Sequence, residues 1–87
     1  MKSRVTGRFR RTFSGLPDDV KKQAREAYRL FREDPTHPGL RFKRVHPTAP
    51  VYSVRIGRGY RAVGTREGDT IYWFWIGSHA DYDRVVS

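Results

Sequence analysis

Along this chain of 87 residues the spacing of the apolar side chains changes once, at Asp34-Pro35. Before that point Val20, Ala24, Ala27 and Phe31 recur at three- and four-residue steps, the period of one helix face. After it the apolar residues alternate, the period of a strand with one face buried. The residue before a proline avoids the helical region, so the helix stops there. Helices first and strands after predict an α+β domain, with the helices gathered on one face of an antiparallel sheet.

The long helix opens well. Pro17 suits its first position, and Asp18 and Asp19 stand where the helix dipole favours anions. Ahead of it, Val5, Phe9 and Phe13 recur every four residues and predict a shorter helix over about 6–14, ending near Gly15. Residues 2–5 read as a short edge strand. In the second half, residues 40–45 alternate imperfectly and 46–50 form a loop. Residues 51–56 alternate cleanly, with Tyr52, Val54 and Ile56 on one side and Ser53 and Arg55 on the other. Gly57-Arg58-Gly59 is a tight connection, 60–65 the next strand, and 66–69 a second turn. Residues 70–76 are apolar on both faces, as an interior strand is, and Gly77 is expected to break them. Ser78, with Asp81 three residues on, resembles a capping box that opens a final helix. The expected architecture is one domain over residues 1–87. Two N-terminal helices pack on one face of a three- to four-stranded antiparallel sheet, and a short C-terminal helix follows. The other sheet face is expected to be open and to display Arg55 and Arg61.

Charge narrows the function. The chain carries 18 Lys plus Arg against 9 Asp plus Glu, a formal net charge of +9. Residues 35–61 hold six cations and no acid. Most of the cations are Arg, whose planar fork matches phosphate geometry. Nucleic acid is the expected partner. The chain has no cysteine, which excludes disulfides, thiolate zinc sites and thiol nucleophiles. Its first residues lead into no apolar run, and no stretch is long and apolar enough to span a membrane. The expected location is the cytoplasm.

Most catalytic chemistries find no residues here. His37, His46 and His79 are scattered, with no metal-ligand spacing, so neither a metal nor any other cofactor is expected. Gly57-Arg58-Gly59 lacks the rest of any nucleotide fingerprint. Lys43, Arg55, Arg61, His79 and Tyr82 remain, and they are the groups that metal-free RNA cleavage needs. The 2′-hydroxyl attacks its own phosphate. One group accepts that proton, another protonates the departing 5′-oxygen, and a cation stabilises the pentacovalent phosphate. His titrates nearest neutrality and can do either transfer. Arg stays charged and serves as a clamp. Tyr can orient the phosphate or stack on a base. Plainer readings stand beside these. His79 can be an ordinary first-turn residue, Tyr82 can pack the last helix, Arg55 and Arg61 can be solvated, and Trp73, Phe74 and Trp75 can be core.

Two strings go further. Tyr52-Ser53-Val54-Arg55-Ile56 followed by Gly59-Tyr60-Arg61-Ala62-Val63 resembles the central hairpin of the RelE/ParE toxin superfamily. The run from Trp73 to Arg84 is similar to the ending of one small branch of it, and the approach from Asp34 to Lys43 is similar too. The resemblance covers about residues 16–84. It implies a compact α+β toxin of a type II toxin–antitoxin system, inhibited by an antitoxin that wraps it in a hetero-oligomer. RelE-like members cleave mRNA in the ribosomal A site without metal, and ParE-like members poison DNA gyrase. By position the resemblance implies phosphate clamping by Arg55 and Arg61 and catalytic roles for Arg61, His79 and Tyr82. Arg41, Lys43, Arg44, Arg55 and Arg58 are the expected RNA-binding residues. The chain departs from the pattern in having Arg55 where Lys is commoner, and in lacking the glutamate base of some branches. The expected activity is ribosome-dependent mRNA cleavage. The alternatives are gyrase inhibition and a non-catalytic basic nucleic-acid-binding module.

Overall fold

The two periods separate in space as they do in sequence. The computed structural model describes residues 1–87 and contains strand β1 (Lys2–Val5), helices α1 (Gly7–Ser14) and α2 (Asp18–Glu33), strands β2 (Lys43–Arg44), β3 (Val51–Ile56), β4 (Tyr60–Glu67) and β5 (Thr70–Ser78), and helix α3 (His79–Val86). One sheet orders them β1-β5-β4-β3-β2. Thr6 caps α1 by accepting a bond from the Phe9 N–H (3.2 Å). Val20, Ala24 and Phe31 are the buried residues of α2 and lie on its predicted apolar stripe. Ala24 and Phe31 meet Val54, Ile56, Ala62, Ile71, Trp73 and Ile76 from the sheet. Phe31 sits edge-on to both Phe42 (5.0 Å) and Trp73 (5.4 Å), an arrangement the ring quadrupoles favour.

The structure corrects four expectations. The sheet has five strands and is mixed, because β1 runs parallel to β5. Parallel neighbours need a long crossover, and everything between them in the chain supplies it. The strand expected over 40–45 shrinks to Lys43–Arg44. A 3-10 turn at Pro38–Leu40 ends on Arg41 in the left-handed region (φ 48°), so extended pairing begins only after it. Gly77 does not end β5. It pairs with Arg61, and a Cβ there would lie 2.5 Å from the Trp75 indole, so the glycine is where a ring crosses the backbone.

The fourth correction concerns the face expected to be open. Val63 pairs with Trp75 but Gly64 pairs with Trp73, which leaves Phe74 as an extra residue in β5. The bulge reverses the alternation, turning Trp73 to the α1/α2 side and Trp75 to the other. There Trp75, Val63 and Tyr82 of α3 form a second small core. Ser53, expected to face solvent, is 2% exposed beneath it.

Candidate functional site

Arg55 and Arg61 stand directly opposite each other on β3 and β4. The ladder bond from the Arg66 N–H to the Pro50 carbonyl sets the phase of the pairing, which makes Arg55 and Arg61 a non-hydrogen-bonded pair. In such pairs the side chains approach most closely, with Cα atoms about 4.5 Å apart. Both share the α3 face of the sheet with Ser53 and Val63, two residues away along their own strands. Each is braced by a carbonyl: Arg55 Nε donates to Gly57 (2.9 Å), and Arg61 donates to Tyr60 (2.8 Å). The ion pairs of the protein lie elsewhere, joining Arg29 to Glu26 and Glu33, and Arg84 to Asp81. The guanidinium pair is therefore held together by covalent and backbone structure against its own repulsion. Burial, then Arg55, lowers the pKa of the Arg61 guanidinium; Tyr82 opposes this and Arg41 adds to it. Arg61 stays charged at working pH.

The end of β5 delivers the remaining groups. Ser78 caps α3 by accepting from the Asp81 N–H (3.3 Å). The His79 N–H donates to the Gly59 carbonyl (2.7 Å), tying the start of α3 to the β3–β4 turn. His79 and Tyr82, one turn apart, stack at 5.7 Å with their planes 18° apart. The Tyr82 hydroxyl donates to Ser53 Oγ (3.3 Å) in the second core, so Tyr82 both packs α3 and steadies the exposed imidazole.

Five of the residues singled out in the sequence thus gather around the Arg pair. Arg55, Arg61, His79 and Tyr82 form the cluster, and Arg41 reaches it electrostatically. Lys43 pairs with Ser53 and so faces the same side. Arg58 is at the exposed tip of the β3–β4 turn. Arg44 pairs with Tyr52, on the opposite face, and its Nε folds back on the Ala49 carbonyl (3.2 Å), away from the cluster. Sequence reasoning missed Ser53 and Trp75. Alternation gave the face of Ser53 correctly, but nothing local signals that α3 closes over it. No group of three His, Asp or Glu side chains could hold a metal ion.

What the arrangement offers is a doubly cationic floor of fixed geometry, an exposed imidazole at its rim and no carboxylate in hydrogen-bond contact. A phosphate seated there meets two forks and one proton-transfer group.

Residues 18–84 match the ParE-like toxin domain family. No curated protein sequence matches the chain significantly. Among solved structures, the RelB-RelE antitoxin-toxin complex from Methanococcus jannaschii is similar with a TM-score of 0.76 and 15% identity, covering 97% of this chain and 99% of that one. The toxin-antitoxin complex RelBE2 from Mycobacterium tuberculosis gives 0.71 and 21%, covering 90% and 96%. The YoeB/ParE toxin from Agrobacterium tumefaciens gives 0.68 and 15%, covering 91% and 99%. At these identities the likeness is one of fold.

Proposed function

The chain belongs to the ParE-like toxin domain family, and from that premise we propose that it acts as a metal-independent, ribosome-dependent mRNA endonuclease restrained by a cognate antitoxin. The observation that carries this reading is the Arg55–Arg61 pair, two guanidinium groups opposed across a ladder with His79 stacked on Tyr82 beside them. As the RNA 2′-oxygen bonds to phosphorus and the bond to the 5′-oxygen breaks, charge builds on the non-bridging oxygens. Arg61 and Arg55 are placed to stabilise it. His79 takes the proton of the 2′-hydroxyl or, when protonated, gives one to the leaving 5′-oxygen, and solvent water serves the other transfer. Tyr82 positions the imidazole. Lys43 on β2 and Arg41 just before it continue the cationic surface and would hold neighbouring phosphates, and Arg58 extends it at the turn.

An antitoxin partner fits for two reasons. The similar chains from Methanococcus jannaschii and Mycobacterium tuberculosis are in toxin–antitoxin complexes. A net charge of +9 also suits an acidic segment that orders on binding, giving a toxin–antitoxin hetero-oligomer in the cytoplasm. No helix is long and apolar enough to cross a membrane.

The test is a purified translation system programmed with a defined mRNA. Cleavage of ribosome-bound message should fall by about 10²-fold or more in His79→Ala and in Arg61→Ala. Unchanged cleavage in both variants refutes the assignment. That no carboxylate is hydrogen-bonded to His79 favours one other reading, gyrase inhibition. It is distinguished by loss of supercoiling activity that His79→Ala leaves intact, with no mRNA fragments.

A further inference from the structure

β1 ends at Val5, opposite Trp73, so the second half of β5 has no strand on its outer side. Helix α1 runs along that edge instead, and Thr12 Oγ1 stands in for a strand carbonyl by accepting from the Ile76 N–H (3.2 Å). The bond from the His79 N–H to the Gly59 carbonyl sets the phase of the β4–β5 ladder. Gly77 and His79 turn their backbone groups toward β4; Ile76 and Ser78 turn theirs outward. The Ile76 carbonyl and the Ser78 N–H therefore point away from the sheet with no strand to receive them.

They open into a cleft of about 400 Å³ lined by Leu16, Pro17 and Trp75, with Arg11 and Asp81 among its polar residues. An outward carbonyl followed two residues later by an outward N–H is an acceptor and a donor side by side on one strand edge. That pair is complementary to a ring bearing an exocyclic amine next to an unprotonated ring nitrogen. Adenine and cytosine present that edge; guanine and uracil present the reverse order. Another strand cannot enter, because α1 already occupies the edge through Thr12, while Leu16, Pro17 and the Trp75 indole supply apolar walls for a planar ring. Gly77, between the two outward residues, is the ladder partner of Arg61, so a ring bonded to this outer edge of β5 lies about two strand spacings, roughly 10 Å, from the strand bearing Arg61, within the reach of one nucleotide.

We infer that this cleft is a nucleobase site that takes an adenine or cytosine next to the phosphate held by Arg55 and Arg61, reading it through the Ile76 carbonyl and the Ser78 N–H. The inference rests on RNA being the substrate and names the base that site selects.

The test is an NMR titration of the full chain with the four ribonucleoside monophosphates and with inorganic phosphate. The Ser78 amide should shift with AMP and CMP, and not with GMP, UMP or phosphate alone. Phosphate alone should move only the Arg55 and Arg61 region. Gly15→Phe is the blocking variant. Gly15 has an ordinary backbone (φ −84°), and a Cβ there meets nothing nearer than the Thr12 carbonyl at 3.9 Å, so the added ring reaches the cleft without strain. It should abolish the Ser78 shift and leave the Arg55 and Arg61 response in place. Equal shifts for all four nucleotides, no shift at Ser78, or an undiminished selective shift in Gly15→Phe each overturns the base site. Nucleotide binding needs neither ribosome nor cleavage, so a selective Ser78 shift without nuclease activity upholds the base site and counts against the nuclease alone.

Discussion

Opposing Arg55 to Arg61 costs the unliganded protein stability, and the cost can be measured. Like charges directly across a ladder are unfavourable by roughly 0.2–1 kcal/mol. Both side chains are half-buried, no ion pair relieves them, and Arg61 already has its charge opposed by burial and by Arg55. Arg55→Gln keeps much of the side chain and removes one charge. It forfeits the bond from Arg55 Nε to the Gly57 carbonyl, which is exposed and rehydrates readily. For a domain of this size, 1 kcal/mol moves Tm by about 4–8 °C, so the variant should melt about 1–8 °C higher at low salt. Salt separates the two contributions. The Debye length falls from about 10 Å at 0.1 M to about 3 Å at 1 M, so the charge relief should largely vanish in high salt while the hydrogen-bond loss remains. Added phosphate should reverse the order, stabilising the native chain more than the variant. Thermal melts followed by circular dichroism, at both salt levels and with phosphate, read all three. A variant that melts lower than the native chain at low salt, or a gain indifferent to salt, refutes the claim that the clamp is strained by its own charge.

Three further outcomes follow from the packing. Gly64→Ala should lose about 1–3 kcal/mol, read as a lower denaturant midpoint, because its Cβ would lie 2.8 Å from the Trp73 ring and 2.9 Å from the Tyr72 carbonyl, and neither can retreat without opening the ladder. Tyr82→Phe should lose about 1–3 kcal/mol by leaving Ser53 Oγ buried without its partner, and the double variant with Ser53→Ala should recover part of that in the same denaturation assay. The Asp34 carboxyl is held below its ordinary range by bonds from the Thr36 side chain and then its N–H, so its contribution is present above the unfolded-state pKa and is lost as pH falls through the lower folded value. Thr36→Val should move the Asp34 titration upward, toward the ordinary value, in an NMR pH series, and an unmoved titration refutes the assignment of cause.

What was legible in the sequence was what one element can write by itself. The stripe Val20, Ala24, Ala27 and Phe31 fixes the buried face of α2, and the alternation from Val51 to Ile56 fixes the two sides of β3. What was not legible depends on a partner far along the chain. An extra Phe74 cannot be recognised until β4 is beside it, so Trp73 and Trp75 read as neighbours on one face although they lie in different cores. The left-handed Arg41 cuts a plausible strand to two residues, and an arginine gives no warning of that conformation. Ser53 followed the alternation rule and still disappeared from solvent, because Tyr82 arrives from α3 to cover it. For the candidate site, alternation put Arg55 and Arg61 on one sheet face, and the hairpin register then sets them directly opposite each other; the face taken by Arg44 depended on where β2 begins.

The pairing of β1 with β5 has a consequence in time. The bond from the Trp73 indole to Ser3 joins residues 70 positions apart. On a ribosome adding about 5–20 residues per second, the first strand waits about 4–14 s for its neighbour to be made. During that interval α1 and α2 can form, but the apolar stripe of α2 has only the β3–β4 part of the sheet to cover it and lacks Ile71, Trp73 and Ile76. The Arg pair also comes before the strand that leads into His79. Arg55 and Arg61 are therefore synthesised before the imidazole, so a chain whose translation stops before β5 has the cationic pair and lacks His79.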